Sequence, residues 1–305
     1  MSSLSDVLVS VCLPVRNGAS RLPAVTRSVL EQDHTNLELV ISDNASTDDT
    51  EQVVRALAAE DPRIVYHRQS ENVGLLNNFV SAMHRATGTY LRWIGDDDAM
   101  EPNCISRSLR AFAEDPRLIL VTCAADFHGD DGVVRTAEYH GAALRSDDPL
   151  ERLAEMLRLL NDSYLLMDPL YGVMRRDAIR PIPRRNMLRE DQVYSTKLAL
   201  AGPWGHVNEV LYRRGFQRDE RRQELARRLG VPAWTARAAN TLQAREMLRW
   251  VNEGADLSPE QRRRARAAVR KWYLDRQQLI LARRGRRLVQ VVGLGGSRST
   301  AEQPG

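Results

Sequence analysis

Two rhythms of apolar positions alternate along the first two-thirds of the chain. Short β-branched runs are followed by stretches whose apolar residues stand three or four apart, the spacing of one helix face. Residues 7–13 are the first such run, stopped by Pro14 and the Asn17-Gly18 pair, and predict a buried strand leading into a loop. Leu22, Val25, Val29 and Leu30 then keep helical spacing as far as Gln32. Residues 38–41 predict a second strand ending at Ser42-Asp43-Asn44, and Ser46 to Asp49 supply N-cap residues for a helix running to about Ala59. A third strand is expected at 64–67, a turn at Asn72-Val73-Gly74, a helix at 77–86 and a fourth strand at 89–94. This alternation predicts an α/β fold around a mostly parallel sheet flanked by helices. Ligands of such sheets bind beyond the carboxyl ends of the strands. The segments 14–17, 43–44, 72–74 and 96–98 all stand at such ends, so they are expected on one face.

Further on, 118–123 reads as a strand, 150–161 as a helix and 170–174 as strand-like, with Gly172 permitting close backbone approach. A helix at 190–201 opens on Glu190-Asp191, and 207–212 is the last strand. The pattern then changes: 218–229, 232–253 and 258–283 are helical and Arg-rich, with Pro259 at the first position of the last helix. These shifts divide the chain into a catalytic-type domain at 1–215, a basic helical extension at 216–292 and a tail at 293–305 that reads as disordered.

With 305 residues and 43% hydrophobic content, the chain can build one large or two modest cores. No run reaches the ~18 apolar residues of a membrane span, and residues 1–6 lack the basic start and apolar core of a signal peptide. Cys12, Cys104 and Cys123 lie in or near apolar runs, as reduced thiols of a cytosolic protein do, and no pair has metal-ligand spacing. The net charge of +4 hides a split: residues 1–212 carry 22 basic and 31 acidic groups, residues 213–305 carry 22 and 9. The basic end implies an acidic counterpart, either a second subunit or anionic lipid at the inner face of a membrane. No nucleic-acid module accompanies the charge, so nucleic acid is not an expected partner.

The sharpest chemical signal is Asp96-Asp97-Asp98 directly after the apolar run 90–95. Three adjacent carboxylates repel one another unless a cation or donors compensate. Hard oxygen ligands suit Mg²⁺ or Mn²⁺, which take the rest of their shell from water and substrate phosphates. A solvated acidic loop is the alternative reading of the triplet taken alone.

Four segments together resemble glycosyltransferase family 2, of the GT-A fold: Val11-Cys12-Leu13-Pro14-Val15-Arg16-Asn17-Gly18, the run from Leu39 through Ser42-Asp43-Asn44 to Thr50, Gly88-Thr89-Tyr90 leading into Asp96-Asp97-Asp98, and Asn72-Val73-Gly74 through Asn78-Phe79 to Trp93. The resemblance covers roughly residues 7–215. It implies an inverting transfer of a sugar from a nucleoside-diphosphate donor, UDP or dTDP favoured, to a hydroxyl acceptor that is a glycan, lipid-linked or small molecule. On this resemblance Asp43 recognises the nucleotide base beside Pro14, Arg16 and Asn17, while Asn72 and Gly74 form the next nucleotide loop. Asp96 stands near the ribose, Asp97 binds Mn²⁺ or Mg²⁺ at the diphosphate, Asp98 assists it, and Gly172 lies where a strand passes the donor sugar. Asp191 is the general base and Glu190 orients the site. A pair of helix-start acids favoured by the helix dipole is the alternative for Glu190-Asp191.

Two departures stand out. Gly95 occupies the position of the first acid of the family's Asp-x-Asp pattern, and Gln217 stands near an expected His, leaving Arg213 or Arg214 as a cationic phosphate clamp. Trp204 fits either a sugar-stacking or a core role. Competing readings are a sugar nucleotidyltransferase, whose Gly-rich N-terminal loop is missing here, and a sugar-nucleotide-binding module without chemistry.

Overall fold

The computed structural model describes residues 6–129, 132–162, 169–216 and 222–295. Chain order begins β1 (Val9–Val15), α1 (Leu22–Leu30), β2 (Leu37–Asp43), α2 (Thr50–Glu60), β3 (Ile64–Arg68), α3 (Leu75–Arg85) and β4 (Tyr90–Trp93). It continues with β5 (Ala99–Met100), α4 (Cys104–Glu114), β6 (Leu120–Gly129), β7 (Val134–Ala137), α5 (Pro149–Asp162), β8 (Val173–Arg175), α6 (Arg176–Ile179), α7 (Glu190–Ala201) and β9 (Trp204–Phe216). The last helices are α8 (Arg222–Arg228), α9 (Thr235–Glu253) and α10 (Pro259–Gly295).

The α/β expectation holds: among the described residues nine strands form one sheet, ordered β3-β2-β1-β4-β8-β6-β9-β5 with β7 beside β6, and helices flank it. β1 is buried at all seven positions, as a central strand covered on both faces must be, which is why its sequence reads as an unbroken apolar run. The first half of the sheet is parallel, β1 pairing with both β2 and β4, and β2 with β3. The second half is mixed, because β8 runs antiparallel to β4 and β6. The expectation of a mostly parallel sheet holds, with β8 as the antiparallel insertion: it follows a short 3-10 turn at Pro169–Tyr171 and enters the sheet from the opposite end. The carboxyl ends of β1, β2 and β4 therefore open on one edge, as the sequence pattern implies.

The basic helices join the same body. Ala265, Val269 and Trp272 of α10 and Met247 and Val251 of α9 are buried with Leu153 and Leu157 of α5 and Val193 and Leu200 of α7. Full burial of each large apolar side chain contributes ~1.5–3 kcal/mol, so this second core welds the extension to the helices beside the sheet. Arg276 of α10 adds a hydrogen bond of 2.6 Å to the Leu160 carbonyl. Among the described residues no helix is long and apolar enough to cross a membrane. The tail beyond residue 295 and Gln217 lie outside the described residues.

Candidate functional site

Three loops at the ends of β1, β2 and β3 are laced together by polar side chains. The Asn17 N–H donates to Ser46 Oγ at 2.9 Å, and Asn17 Oδ1 accepts the Thr47 N–H at 2.9 Å. Asn44 Nδ2 donates to Asn72 Oδ1 at 2.8 Å, while Asn44 Oδ1 accepts the Val73 N–H at 2.8 Å. Asn17 and Ala45 hold left-handed backbone, φ 54° and 51°, to turn the chain out of the sheet. The loops enclose a cavity of about 360 Å³ walled by Pro14, Arg16, Asn17, Asn44, Asn72 and Asn78, with Arg21, Asp96 and Arg228 at its sides.

Asp43, expected on the nucleotide base, is not part of this wall. Its side chain is fully buried: Oδ1 accepts from the Ser46 N–H at 2.9 Å and Oδ2 from the Tyr66 hydroxyl at 2.8 Å. Arg68 Nε lies 3.6 Å from the same Oδ2. The carboxylate thus braces the loop from behind, and its neighbour Asn44 reaches the cavity. Gly74, φ 87°, turns the backbone into α3 rather than lining the cavity. Gly172 has a packing reason of its own: a Cβ there would stand 2.6 Å from Leu120 and 2.8 Å from the Val121 carbonyl.

The acidic triplet divides into three roles. Asp96 is held by Arg21, which also donates to the Asn17 carbonyl at 3.1 Å. Asp97 faces a second cavity of about 580 Å³ with His128, Arg213 and Arg214, joined to the first through Arg21 and Asp96. Asp98 turns inward: its Oδ2 accepts the Gly95 N–H at 3.0 Å and the Tyr212 hydroxyl, while its buried Oδ1 has no hydrogen-bond partner among the described residues. Burial pushes this carboxyl up to about 6, against the pull of Arg214 and the Tyr212 hydroxyl. A Cβ on Gly95 would meet the end of the Asp98 side chain, Oδ2, at 2.5 Å, so a larger residue in this position has to displace that carboxylate.

Among the described residues no group of three or more His, Cys, Asp or Glu side chains gathers to hold a metal unaided. Two carboxylates, one with an orphaned buried oxygen, nevertheless fit a hard cation that completes its shell from phosphates.

Asp191 sits in the first turn of α7, exposed to a third cavity of about 240 Å³. Leu76, Phe79, Leu170 and Tyr171 give this cavity an apolar wall. It shares Leu75 and Arg228 with the first cavity and Arg214 with the second. Glu190 beside it is bound by Arg184 Nε at 2.8 Å, and the Arg184 guanidinium lies over Tyr194, Trp93 and Phe79. Arg214 stacks on Tyr171 at 4.3 Å, whereas Arg213 pairs with Glu101 at 2.7 Å. Trp204 is buried, donating to the Leu198 carbonyl at 3.2 Å, which assigns it to the core. Arg21 and Arg228 are not singled out by the sequence, and Asn44 is placed on the site face there without a role of its own; for Arg21, its position four residues after Asn17 is the available signal.

The family model described as "Glycosyl transferase family 2" matches residues 10–180. The abequosyltransferase RfbV of Salmonella typhimurium is 33% identical over 147 residues, 47% of this chain and 43% of that protein. A Campylobacter jejuni protein named GalNAc(5)-diNAcBac-PP-undecaprenol beta-1,3-glucosyltransferase is 27% identical over 145 residues, 47% and 46% of the two chains. The matches thus span less than half the length of these relatives. Among solved structures, residues 1–349 of Staphylococcus aureus TarS in complex with UDP-GlcNAc superpose with a TM-score of 0.61 and 16% identity, covering 88% of this chain and 72% of that one. The Pyrobaculum calidifontis mannosyltransferase PcManGT in complex with GDP-Man and Mn²⁺ gives 0.52 at 15% identity, covering 88% and 86%. At such identities the likeness is one of fold.

Proposed function

Because this chain belongs to glycosyl transferase family 2, we propose that it is an inverting glycosyltransferase that takes a UDP- or dTDP-sugar as donor and a hydroxyl as acceptor. The observation that carries the reading is the joining of three cavities by shared walls: the asparagine-lined one, the acid-lined one and the one holding Asp191. A nucleotide sugar likewise has three joined parts, nucleoside, diphosphate and reacting sugar, one for each cavity.

Asn17, Asn44 and Asn72 present amides to the nucleoside between Pro14 and Arg16, and Asp43 keeps their loops in place. Asp96, fixed by Arg21, faces the ribose. Arg214 and Arg228, at the cavity junctions, lie against the diphosphate as planar cations. Asp97 and Asp98 would hold Mn²⁺ or Mg²⁺, which neutralises charge growing on the leaving group. Asp191 takes the proton of the acceptor hydroxyl as its oxygen attacks the anomeric carbon. The bond from that carbon to the nucleoside diphosphate breaks on the opposite face, so configuration inverts. The N-terminus of α7 favours the ionised carboxylate needed for this step. Arg184 holds Glu190 aside and keeps it out of the proton transfer.

Residues 1–215 are proposed as the catalytic domain and 216–292 as a basic extension. The Arg-rich α10, with Leu274 60% and Leu281 65% exposed, supports contact with an anionic lipid surface. The test of the central reading is calorimetric titration of nucleoside diphosphates with Mn²⁺ and with chelator, followed by donor hydrolysis. Metal-dependent binding of UDP or dTDP, and hydrolysis lost in Asp191→Asn, are expected. A folded protein that binds no nucleotide would sink the reading.

A further inference from the structure

We propose that α9 of the basic extension positions the catalytic base, with Gln243 and Glu246 fixing the first turn of α7 and the segment before it. The inference rests on the reading of Asp191 as the base. Gln243 is completely buried. Its Oε1 accepts from Arg189 Nη1 at 3.4 Å, and its Nε2 donates to Gln192 Oε1 at 2.9 Å. Arg189 and Gln192 bracket Glu190-Asp191, so one amide of α9 spans the turn that carries the base. Arg189 has left-handed backbone, φ 65°, a conformation that costs a residue with a side chain ~1–2 kcal/mol and persists only where the surroundings impose it.

Three residues further along α9, Glu246 is 4% exposed. It accepts from Lys197 of α7 at 3.2 Å, from Arg185 at 3.0 Å and from Arg249 at 2.9 Å. Burial pushes the Glu246 carboxyl up, but the Arg249 hydrogen bond and the Lys197 and Arg185 charges outweigh it and hold the group below its ordinary value. Lys197 also donates to the Pro183 carbonyl at 2.7 Å. Helix α9 thus grips residues 185–197 at both ends. The apolar contacts between α7 and α9 hold the two helices together, but such contacts are non-directional. Hydrogen bonds fix rotation about the helix axis, and that rotation decides where the Asp191 carboxylate points. A misplacement near 1 Å at a reacting group costs up to about a hundredfold in rate.

Gln243 therefore acts as a positioning residue, and two substitutions separate this role from packing. Gln243→Leu keeps the volume and removes both bonds; Gln243→Glu keeps an acceptor for Arg189 and lets the Gln192 amide turn to donate. Amide hydrogen exchange at residues 193–196 of the full chain is read first, then hydrolysis of UDP-glucose, UDP-galactose, UDP-GlcNAc and UDP-GalNAc. In Gln243→Leu, exchange rises about tenfold and the kcat of hydrolysis falls about tenfold, with KM and UDP affinity within about twofold of the parent. In Gln243→Glu both return towards the parent. Unchanged exchange and kcat in Gln243→Leu, or an equal loss in both variants, overturns the proposal. Should Gln243→Leu not fold, Gln192→Met cuts the same bond from the half-exposed side and is read in the same way. Asp191→Asn run in parallel separates the two claims. If it leaves hydrolysis intact, the base assignment fails and takes this inference with it. If it abolishes hydrolysis while Gln243→Leu changes nothing, only the anchoring fails.

Discussion

Arg21 donates through both Nε, at 3.1 Å, and Nη2, at 2.5 Å, to a single oxygen of Asp96, Oδ2. The pair ties the start of α1 to the loop after β4, and it stands at the junction of the nucleoside and acid-lined cavities. Arg21 is 44% exposed at its side chain, so the pair contributes at most ~1 kcal/mol to stability. Arg21→Ala is therefore expected to lower Tm little while weakening UDP binding about three- to tenfold, because Asp96 loses its orientation. Calorimetry beside thermal melting checks both; unaltered UDP affinity would count against a donor-side role for Asp96.

A side chain at Gly95 has to displace the Asp98 carboxylate, whose Oδ2 would stand 2.5 Å from the added Cβ. Gly95→Ala is expected to cost about 1–3 kcal/mol, the usual range for overpacking, and to weaken metal-dependent UDP binding by disturbing Asp98. Urea denaturation and calorimetry read the two effects. A variant as stable as the parent would show that the loop relaxes freely.

Asp97→Asn removes one charge from the acid-lined cavity without changing its shape. The Mn²⁺-dependent part of UDP affinity should disappear, and the affinity measured with chelator should stay or rise as repulsion from the diphosphate falls. Retained Mn²⁺ dependence would move the metal away from Asp97.

His206 gives a pH dependence unrelated to the site. Burial first, then the nearby His140, pulls its imidazole down to about 4, against the opposing pull of a hydrogen bond to Asn208. Its Nδ1 is 2.8 Å from Thr122 Oγ1. An unfolded histidine titrates near 6.5, so between about 6.5 and 4 the unfolded chain binds the extra proton. Stability is then full above 6.5 and falls as pH drops, on the order of 1 kcal/mol per pH unit. Denaturant titrations at pH 7 and 4.5 should show this loss, reduced in His206→Gln; equal slopes in the two proteins would refute it.

The exposed leucines of α10 lie among arginines. The protein is expected to sediment with vesicles containing phosphatidylglycerol and not with pure phosphatidylcholine, and the Leu274→Glu, Leu281→Glu double variant should bind at least fivefold less, roughly what loss of apolar burial plus added charge implies. Sedimentation of neither protein would leave α10 without a lipid role.

Much of the sheet was legible because strands buried on both faces announce themselves, and the site loops follow from where those strands stop. The direction of a side chain was harder to read. Asp43 turns inward because Tyr66, on the neighbouring strand, meets it, and no local pattern marks that partner. β9 was expected at 207–212 but spans Trp204–Phe216 because pairing with β6 carries both strands further. Gln243 and Glu246 look like solvated positions in an Arg-rich helix. Only the docking of α9 on α7 buries them, and that contact joins segments some fifty residues apart.

The same separation bears on the order in which the protein is made. All pairings among β1, β2, β3 and β4 lie within residues 9–93, so this half of the sheet needs only the earliest part of the chain to emerge from the ribosome. Short sequence separation lowers the entropic cost of closing these contacts. Gln243 is synthesised about fifty residues after Asp191, so a nascent chain has its nucleoside loops long before its base is aimed. Pulse-labelled hydrogen exchange during refolding should protect β1–β4 before the first turn of α7. An incomplete chain would then hold donor without turning it over, and the activity would switch on only as the last helices dock.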